Sequence, residues 1–235
     1  VTAENGPEGS EKNFMPGLQE KLLGFCNDHK IELTSFYFLQ VLAQKGKPTI
    51  IKEKLIYGAA TILETLEIPG RGRLSFEILP QAFFQPNTKQ AQVLYAKTLE
   101  AAGLTGGETL FDLYCGTGTI GLFCAANAAK VYGVELSASA IENAKKNAER
   151  NLIVNAEFFV GDVQTILPQF KEVPDVVLVD PPRNGLSPQV IETIINFGPK
   201  RVVYVSCNPT SLALDAVLFL KTGYKLVSVQ PVDMF

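Results

Sequence analysis

The sequence predicts an α/β protein in which a Rossmann-like, doubly wound and mostly parallel sheet follows a small partial α+β domain. Three observations carry this reading. From Thr109 onward, short valine-rich apolar runs alternate with segments of helical periodicity, the mark of repeated βα units. A glycine-rich turn, Asp112 to Gly121, lies at the first strand-to-helix junction. Two later apolar runs, Asp175 to Val179 and Arg201 to Val205, each end on a short polar motif, as buried parallel strands do where their carboxyl ends face a crevice.

The elements follow in order. Val1 to Lys12 is polar and glycine-containing and reads as a frayed tail. Gly17 to Lys30 has apolar positions at Leu18, Leu22, Leu23, Phe25 and Cys26, the spacing of a short helix. Between Ser35 and Pro80 the pattern turns β-like, with runs at Phe36 to Val41, Thr49 to Tyr57 and Leu74 to Leu79 and a turn at Pro69-Gly70-Arg71-Gly72. These runs read as part of an antiparallel sheet. A boundary near residue 80 gives a first domain over 1–80 and a second over 81–235. In the second, Asn87 to Leu104 spaces Ala91, Val93, Leu94, Ala96, Leu99 and Ala102 as a helix, and Gly103 ends it. Strands are then expected at Thr109 to Tyr114, Lys130 to Val134, Glu157 to Val160, Val176 to Val179, Arg201 to Val205 and Lys225 to Val229. Helices are expected at Ile120 to Asn127, Ser137 to Asn151, Pro188 to Phe197 and Pro209 to Thr222. Right-handed crossovers force such a series into a parallel sheet with helices on both faces.

Composition narrows the chemistry. The 235 residues are 46% hydrophobic and 19% charged, ordinary for a globular protein. A formal net charge of -3 gives no global basic signal, so a nucleic-acid site has to be a local patch or be completed by sequence elsewhere. The four cysteines, Cys26, Cys115, Cys124 and Cys207, form no Cys-x-x-Cys pair, and with His29 as the one histidine no metal site is expected. With no run of eighteen apolar residues and no signal-like start, the chain is expected in the cytoplasm with reduced thiols, away from membranes, as a monomer. It begins at Val1 and ends at Phe235 after Gln230-Pro231-Val232-Asp233-Met234, and is expected to be a fragment.

The candidate site follows from the strand ends. Asp180-Pro181-Pro182-Arg183-Asn184-Gly185-Leu186 and Val205-Ser206-Cys207-Asn208-Pro209 close adjacent strands, so a carboxylate and a thiol face one crevice. Cys207 is therefore a candidate nucleophile, with the start of the next helix offering a positive dipole end to a thiolate; a buried inert cysteine is the alternative. Asp180 can orient substrate or cofactor, and Arg183 can hold a phosphate or a base carbonyl or be a plain surface charge. The glycine turn alone suits a dinucleotide or a nucleoside. Glu135 ends the second strand, placed to accept hydrogen bonds from both ribose hydroxyls, and Asp162 follows the third, placed to meet an adenine amino group. Glu135 as a helix N-terminal charge before Ser137 stays open. An acid-lined pocket without a phosphate-binding lysine or arginine favours a cationic sulfonium, so S-adenosylmethionine fits better than NAD. Core packing accounts for Cys26, His29, Cys115 and Cys124, and a solvated helix face for Lys145, Lys146, Glu149 and Arg150.

Together, Phe83-Phe84-Gln85-Pro86-Asn87-Thr88, Asp112 to Gly121, Asp180 to Leu186 and Ser206-Cys207-Asn208-Pro209 resemble the RNA (uracil-5-)-methyltransferase family, class I enzymes whose members make 5-methyluridine in tRNA or large-subunit ribosomal RNA. The resemblance runs from about Leu74 to Phe235. It implies S-adenosylmethionine contacts from Gln85, Tyr114, Thr119, Glu135, Asp162 and Asp180, with Cys207 adding to carbon 6 of a flipped uracil so that carbon 5 can take the methyl group. Gln85 as a helix-entry residue before the Asn87 cap is the alternative. The resemblance also implies a small β-sheet domain before the Rossmann-like one, while an RNA-binding barrel at the N-terminus, common in the family, has no counterpart here. Family members carry a histidine-valine-glutamate stretch just beyond the segment matched by Pro231 to Phe235, whose glutamate removes the carbon 5 proton; its absence implies a chain that binds its ligands without turning over. Two other readings stay open: a methyltransferase of another RNA base with Cys207 structural, and a catalytically incomplete module that binds S-adenosylmethionine and RNA as a regulator or chaperone.

Overall fold

The computed structural model describes residues 2–4, 11–42, 50–70 and 72–234. Contacts divide the chain into two units, residues 1–62 with 79–81, and residues 63–78 with 82–235. The first holds β1 (Thr2–Glu4), α1 (Glu11–Asp28), β2 (Ser35–Leu42) and β3 (Ile50–Gly58). The period-2 alternation of β2 turns Phe36 and Phe38 to one face, where they bury with Met15 of α1 among Leu18, Leu22, Leu33 and Ile56. β3 pairs antiparallel with β2 across an irregularity between Phe36 and Tyr37, and β1 pairs parallel with Leu39 to Val41. The helix starts at Glu11 rather than Gly17, because Glu11 and Lys12 are good helix formers ahead of the apolar stripe. Residues 2–4 of the expected frayed tail are paired as a strand. The remainder of that tail up to residue 10, Thr49 of the second β-like run, Arg71 of the expected turn and Phe235 lie outside the described residues.

The second unit opens with the two-stranded sheet of β4 (Ile62–Ile68) and β5 (Gly72–Ile78), then α2 (Thr88–Ala102). Asn87 caps α2 by accepting the Gln90 N–H at 3.2 Å, and Gly103 ends it in the left-handed conformation at φ 56°. Alternating units follow: β6 (Thr109–Leu113), α3 (Thr119–Ala125), β7 (Lys130–Glu135), α4 (Ala138–Arg150), β8 (Ala156–Val160), α5 (Val163–Ile166), β9 (Val176–Val179), α6 (Pro188–Phe197), β10 (Arg201–Tyr204) and α7 (Pro209–Lys221). The five strands are parallel in the order β10-β9-β6-β7-β8, so the direction of winding reverses between β6 and β9. One face buries Leu110, Val131 and Leu178 with Leu122 and Phe123 of α3 and Ile141 of α4. The other buries Phe111, Leu113, Val134, Val177 and Val179 with Ile191 and Ile194 of α6.

Two further segments differ from expectation. Lys225 to Val229 pairs with no strand among the described residues and leaves Leu226, Val227 and Val229 exposed; an alternating pattern becomes a strand only where it bonds to a sheet edge. The boundary near residue 80 places the Leu74 run with the first domain, whereas Leu66, Ile68, Leu74 and Phe76 bury in the core of the second unit beside Ala91 and Tyr95 of α2.

The β4–β5 sheet is fastened to α4 by a ladder that imitates a neighbouring strand. Asn147 accepts the Glu77 N–H at 2.8 Å and donates to the Glu77 carbonyl at 3.2 Å, and one turn on Asn151 makes both bonds to Ser75 at 2.8 Å. The rise of a helical turn, about 6 Å over four residues, matches the advance of two residues along a strand. Arg150 adds an ion pair to Glu77 at 2.8 Å. Asn147→Ala or Asn151→Ala should each lower stability by roughly 1–3 kcal/mol, since a backbone donor and acceptor lose their partner. Urea unfolding checks the cost, and amide exchange at Ser75 and Glu77 should quicken before global opening; unchanged exchange would remove the ladder's role.

Candidate active site

A parallel sheet brings all its carboxyl ends to one edge, and here backbone hydrogen bonds lace those ends together beyond the strands. The Val205 N–H donates to the Val179 carbonyl at 2.8 Å, Asp180 to Leu113 at 3.3 Å, Cys115 to Val134 at 3.1 Å and Gly161 to Glu135 at 2.9 Å. The edge therefore reads, in spatial order, Val205 leading to Cys207, then Asp180, Tyr114, Glu135 and Gly161 leading to Asp162. At about 4.8 Å per strand interval the row spans about 19 Å.

Each predicted residue has a distinct setting. Both Glu135 oxygens are oriented by backbone, one accepting the Gly116 N–H at 3.2 Å and the other the Ser137 N–H at 2.9 Å. A carboxylate oxygen has a second lone pair, so each retains one for a ligand. Asp162 is exposed and caps α5 by accepting the Gln164 N–H at 2.7 Å. Tyr114 is half-buried in the left-handed region at φ 64°, an unusual conformation for a bulky side chain, at the strand-to-turn junction. Burial, then the charges of Asp162 and Asp215, push its hydroxyl up to about 12. Thr119 is buried as the first residue of α3, its hydroxyl 3.0 Å from that of Thr117. Gly116 adopts φ +55°, and a Cβ added there would meet no heavy atom within 4 Å, so the turn presents bare backbone to open space.

On the other wing, Asp180 is half-buried, and loss of solvent raises its carboxyl to about 6. Cys207 is exposed at the entry to α7, just ahead of the Asn208 cap, while Cys26, Cys115 and Cys124 are buried. The reading of Cys207 as a buried core thiol is thereby set aside. Arg183 is exposed, and its guanidinium makes no ion pair among the described residues. Gln85 is half-buried on the segment between β5 and α2, flanked by Phe84, whose ring lies 6.2 Å from that of Phe76, and by the Asn87 cap. The structure thus sets Cys207, Asp180, Tyr114, Glu135 and Asp162 along one edge, Thr119 at the start of the helix after the turn, and Gln85 and Arg183 on connecting segments.

Asp112 is absent from the binding residues expected from sequence, yet the glycine turn rests on it. It is buried within β6, where its Oδ2 accepts the Gly121 N–H at 2.9 Å and its Oδ1 has no partner among the described residues. The signal that could have found it is a carboxylate within Thr109-Leu110-Phe111-Asp112-Leu113, inside an otherwise apolar central strand. A Cβ at Gly121 would lie 2.6 Å from Oδ2, so only glycine lets the helix approach this acid.

A family model described as tRNA (uracil-5-)-methyltransferase matches residues 26–161, more than half of the chain. The chain belongs to this family. A general methyltransferase-domain model matches residues 104–225 of this uracil-5-methyltransferase family member. An uncharacterized RNA methyltransferase of Bacillus cereus is 48% identical over 187 residues, covering 78% of this chain and 40% of the relative. Another, of Clostridium acetobutylicum, is 42% identical over 221 residues, 88% of this chain and 47% of the relative. The chain therefore spans less than half the length of these curated relatives. Among solved structures, the Pyrococcus abyssi tRNA (uracil-54, C5)-methyltransferase in complex with S-adenosyl-L-homocysteine aligns with a TM-score of 0.64 at 28% identity, over 92% of this chain and 48% of that one. Trm5b from Pyrococcus abyssi shares the fold, at a TM-score of 0.59 and 16% identity over 94% of this chain and 64% of that one. The class I methyltransferase architecture expected for the second domain is the one observed.

The buried acids set a pH dependence. Asp112 is raised from 3.8 to about 8 chiefly by burial, against the Gly121 hydrogen bond and with the charges of Asp180 and Glu135 adding to it. A carboxyl whose folded value lies above its unfolded value holds a proton the unfolded chain has released, so its contribution is full below about pH 4 and is lost as pH rises. For Asp180 the loss runs up to about 6 and for Asp112 up to about 8. Stability measured by urea unfolding should therefore carry a falling contribution between about pH 4 and about pH 8, and Asp112→Asn, uncharged throughout, should flatten the upper part of that fall. An unchanged slope in Asp112→Asn would show that Asp112 is ionised in the folded protein at neutral pH.

Proposed function

We propose that this chain is the methyltransferase portion of an enzyme that transfers a methyl group from S-adenosylmethionine to carbon 5 of a uridine in structured RNA, tRNA or ribosomal RNA, through a covalent bond from Cys207 to carbon 6. The observation that carries the reading is that an accessible thiol at a helix start and a pair of acids fall on one edge of the sheet, on opposite sides of the point where its winding reverses. The residues fit the cofactor: Glu135 keeps a lone pair on each oxygen for the two ribose hydroxyls, Asp162 lies on the neighbouring strand end for the adenine, and the open turn at Gly116 admits close approach. The strand ends and turns from Tyr114 to Gly121, Glu135 to Ser137 and Gly161 to Gln164 contain no lysine or arginine, so this wing suits a cation better than a phosphate. Gln85, Tyr114, Thr119 and Asp180 complete the proposed contacts. When bound, the cofactor supplies an electrophilic methyl group on a sulfonium.

The chain's own residues prepare the acceptor. Carbon 5 of uracil is a weak nucleophile. The Cys207 thiolate adds to carbon 6, a C–S bond forms, and the π electrons pass to carbon 5, the atom that then takes the methyl group. Loss of the carbon 5 proton to a base returns those electrons, expels Cys207 as thiolate and restores the ring. Asp180 orients the base or the cofactor from the neighbouring strand end, and Arg183 holds a phosphate or a base carbonyl at the mouth. RNA is the expected partner, and the cytoplasm the expected place of action.

Two measurements test this in the full-length protein. RNA carrying 5-fluorouridine cannot lose the carbon 5 substituent as a proton, so it should be trapped as a denaturant-resistant adduct that Cys207→Ala abolishes and Cys26→Ala, Cys115→Ala and Cys124→Ala retain. A full-strength adduct in Cys207→Ala would transfer the nucleophile elsewhere. Glu135→Ala should weaken S-adenosylmethionine binding by roughly 1–3 kcal/mol in calorimetry. Unchanged affinity there would end the ribose assignment.

A further inference from the structure

Asp215 lies in the second turn of α7, downstream of Cys207, and is 7% exposed. A carboxylate withdrawn from water in this way needs donors. Its Oδ2 accepts two: the Leu186 N–H at 2.8 Å and the Tyr204 hydroxyl at 2.7 Å. Tyr204 is the last residue of β10, and burial followed by the bond to Asp215 drives its hydroxyl well above the ordinary phenol range, keeping it a donor. Leu186 closes the motif that begins at Asp180. One oxygen thus joins the tip of the strand leading to Cys207, the helix following it, and the loop bearing Asp180 and Arg183.

The backbone is fitted closely to this bond. Gly185 has φ +78°, and a Cβ there would lie 2.6 Å from Asp215 Oδ2 and 3.1 Å from Ser211 Cβ, so the loop backbone is pressed onto α7. A second clasp sits nearer the thiol: Asn208 donates through Nδ2 to the Arg183 carbonyl at 2.8 Å while its Oδ1 caps α7 on the Thr210 N–H at 3.1 Å. The loop is held at Arg183 and at Leu186, and exposed Cys207 lies between the strand tip and the helix so held.

We propose that Asp215 is a positioning residue for methyl transfer: by binding Leu186 and Tyr204 together it fixes the Asp180 loop relative to Cys207, and so sets where the target base sits between carboxylate and thiol. This rests on the reading of Cys207 as the nucleophile. Asp215 acts through the loop and the strand tip, so its effect belongs chiefly in the rate of the chemical steps; Asp180 is one of six proposed cofactor contacts, so cofactor binding changes less.

Three variants of the full-length protein separate the possibilities. In Asp215→Ala the Leu186 amide should exchange faster and kcat should fall by about tenfold or more, with KM for S-adenosylmethionine within about twofold of wild type. Asp215→Asn, whose carbonyl oxygen can accept both bonds, should recover most of the rate, which a requirement for charge would not allow. Tyr204→Phe, removing one bond, should fall between them and keeps the test open should Asp215→Ala not fold. An unchanged kcat in Asp215→Ala alongside faster Leu186 exchange would overturn the proposal, as would equal losses in Asp215→Ala and Asp215→Asn. Wild-type methyl transfer by Cys207→Ala would instead defeat the nucleophile reading itself, and it is measured in the same assay.

Discussion

Backbone hydrogen bonds just past the strands, Val205 to Val179, Asp180 to Leu113, Cys115 to Val134 and Gly161 to Glu135, hold five distant segments in one row, and everything proposed for the site depends on that row. No side chain sets its order. The order comes from the crossovers: the chain winds outward from β6 through β7 to β8, returns, and winds out the other way through β9 to β10. The return leaves the turn after β6 and the loop after β9 diverging from one point, the place at which open parallel sheets bind their ligands. The two wings then differ in chemistry. Glu135 and Asp162 make one wing acidic, and Asp180, Arg183 and Cys207 occupy the other.

That arrangement concentrates negative charge where water is scarce. Asp112 and Asp180 both sit above the ordinary carboxyl range because of burial, and Tyr95 is raised by the same cause and by the charges of those two acids. The charges of Asp180 and Glu135 disfavour ionisation of Asp112, and those of Asp180 and Asp112 disfavour ionisation of Tyr95. A cation on the acidic wing relieves this and an anion worsens it, which is the physical basis for preferring a sulfonium ligand over a pyrophosphate there. Asp112 contributes differently from the exposed acids: its bond to the Gly121 N–H ties α3 to β6 beneath the turn, so the backbone that a ligand would approach is held from below.

The sheet is legible in the sequence because buried parallel strands are written as continuous apolar runs, as in Val176-Val177-Leu178-Val179, and because their ends carry unusual polar motifs. β4 is not. Ile62-Leu63-Glu64-Thr65-Leu66-Glu67-Ile68 is rich in leucine and glutamate, which favour helix locally, and it becomes a strand through pairing with β5 and burial of Leu66 and Ile68. Lys225 to Val229 shows the reverse, strand-like in pattern but without a partner strand among the described residues. Local pattern records what a segment can do, and pairing decides what it does. The same limit applies to the candidate site: Glu135, Asp162, Asp180 and Cys207 stand at strand ends, whereas Asp215 lies mid-helix in Leu212-Ala213-Leu214-Asp215-Ala216, and the role proposed for it depends on contacts with Leu186 and Tyr204 that no local pattern records.

Topology also separates the proposed nucleophile from the other three cysteines. Cys115 lies inside the glycine turn and Cys124 on the buried α3, and in both, loss of solvent and the charge of Asp112 push the thiol above its ordinary range and so favour the unreactive protonated form. Cys26 is buried in the first unit. Cys207 alone among the four is exposed, and it stands at the N-terminal end of a helix, where the first turn presents backbone N–H groups. The residue type is the same in all four places. What distinguishes the one is that β10 delivers it past the edge of the sheet, while Asn208 and Asp215 bond the neighbouring loop to the helix that follows it.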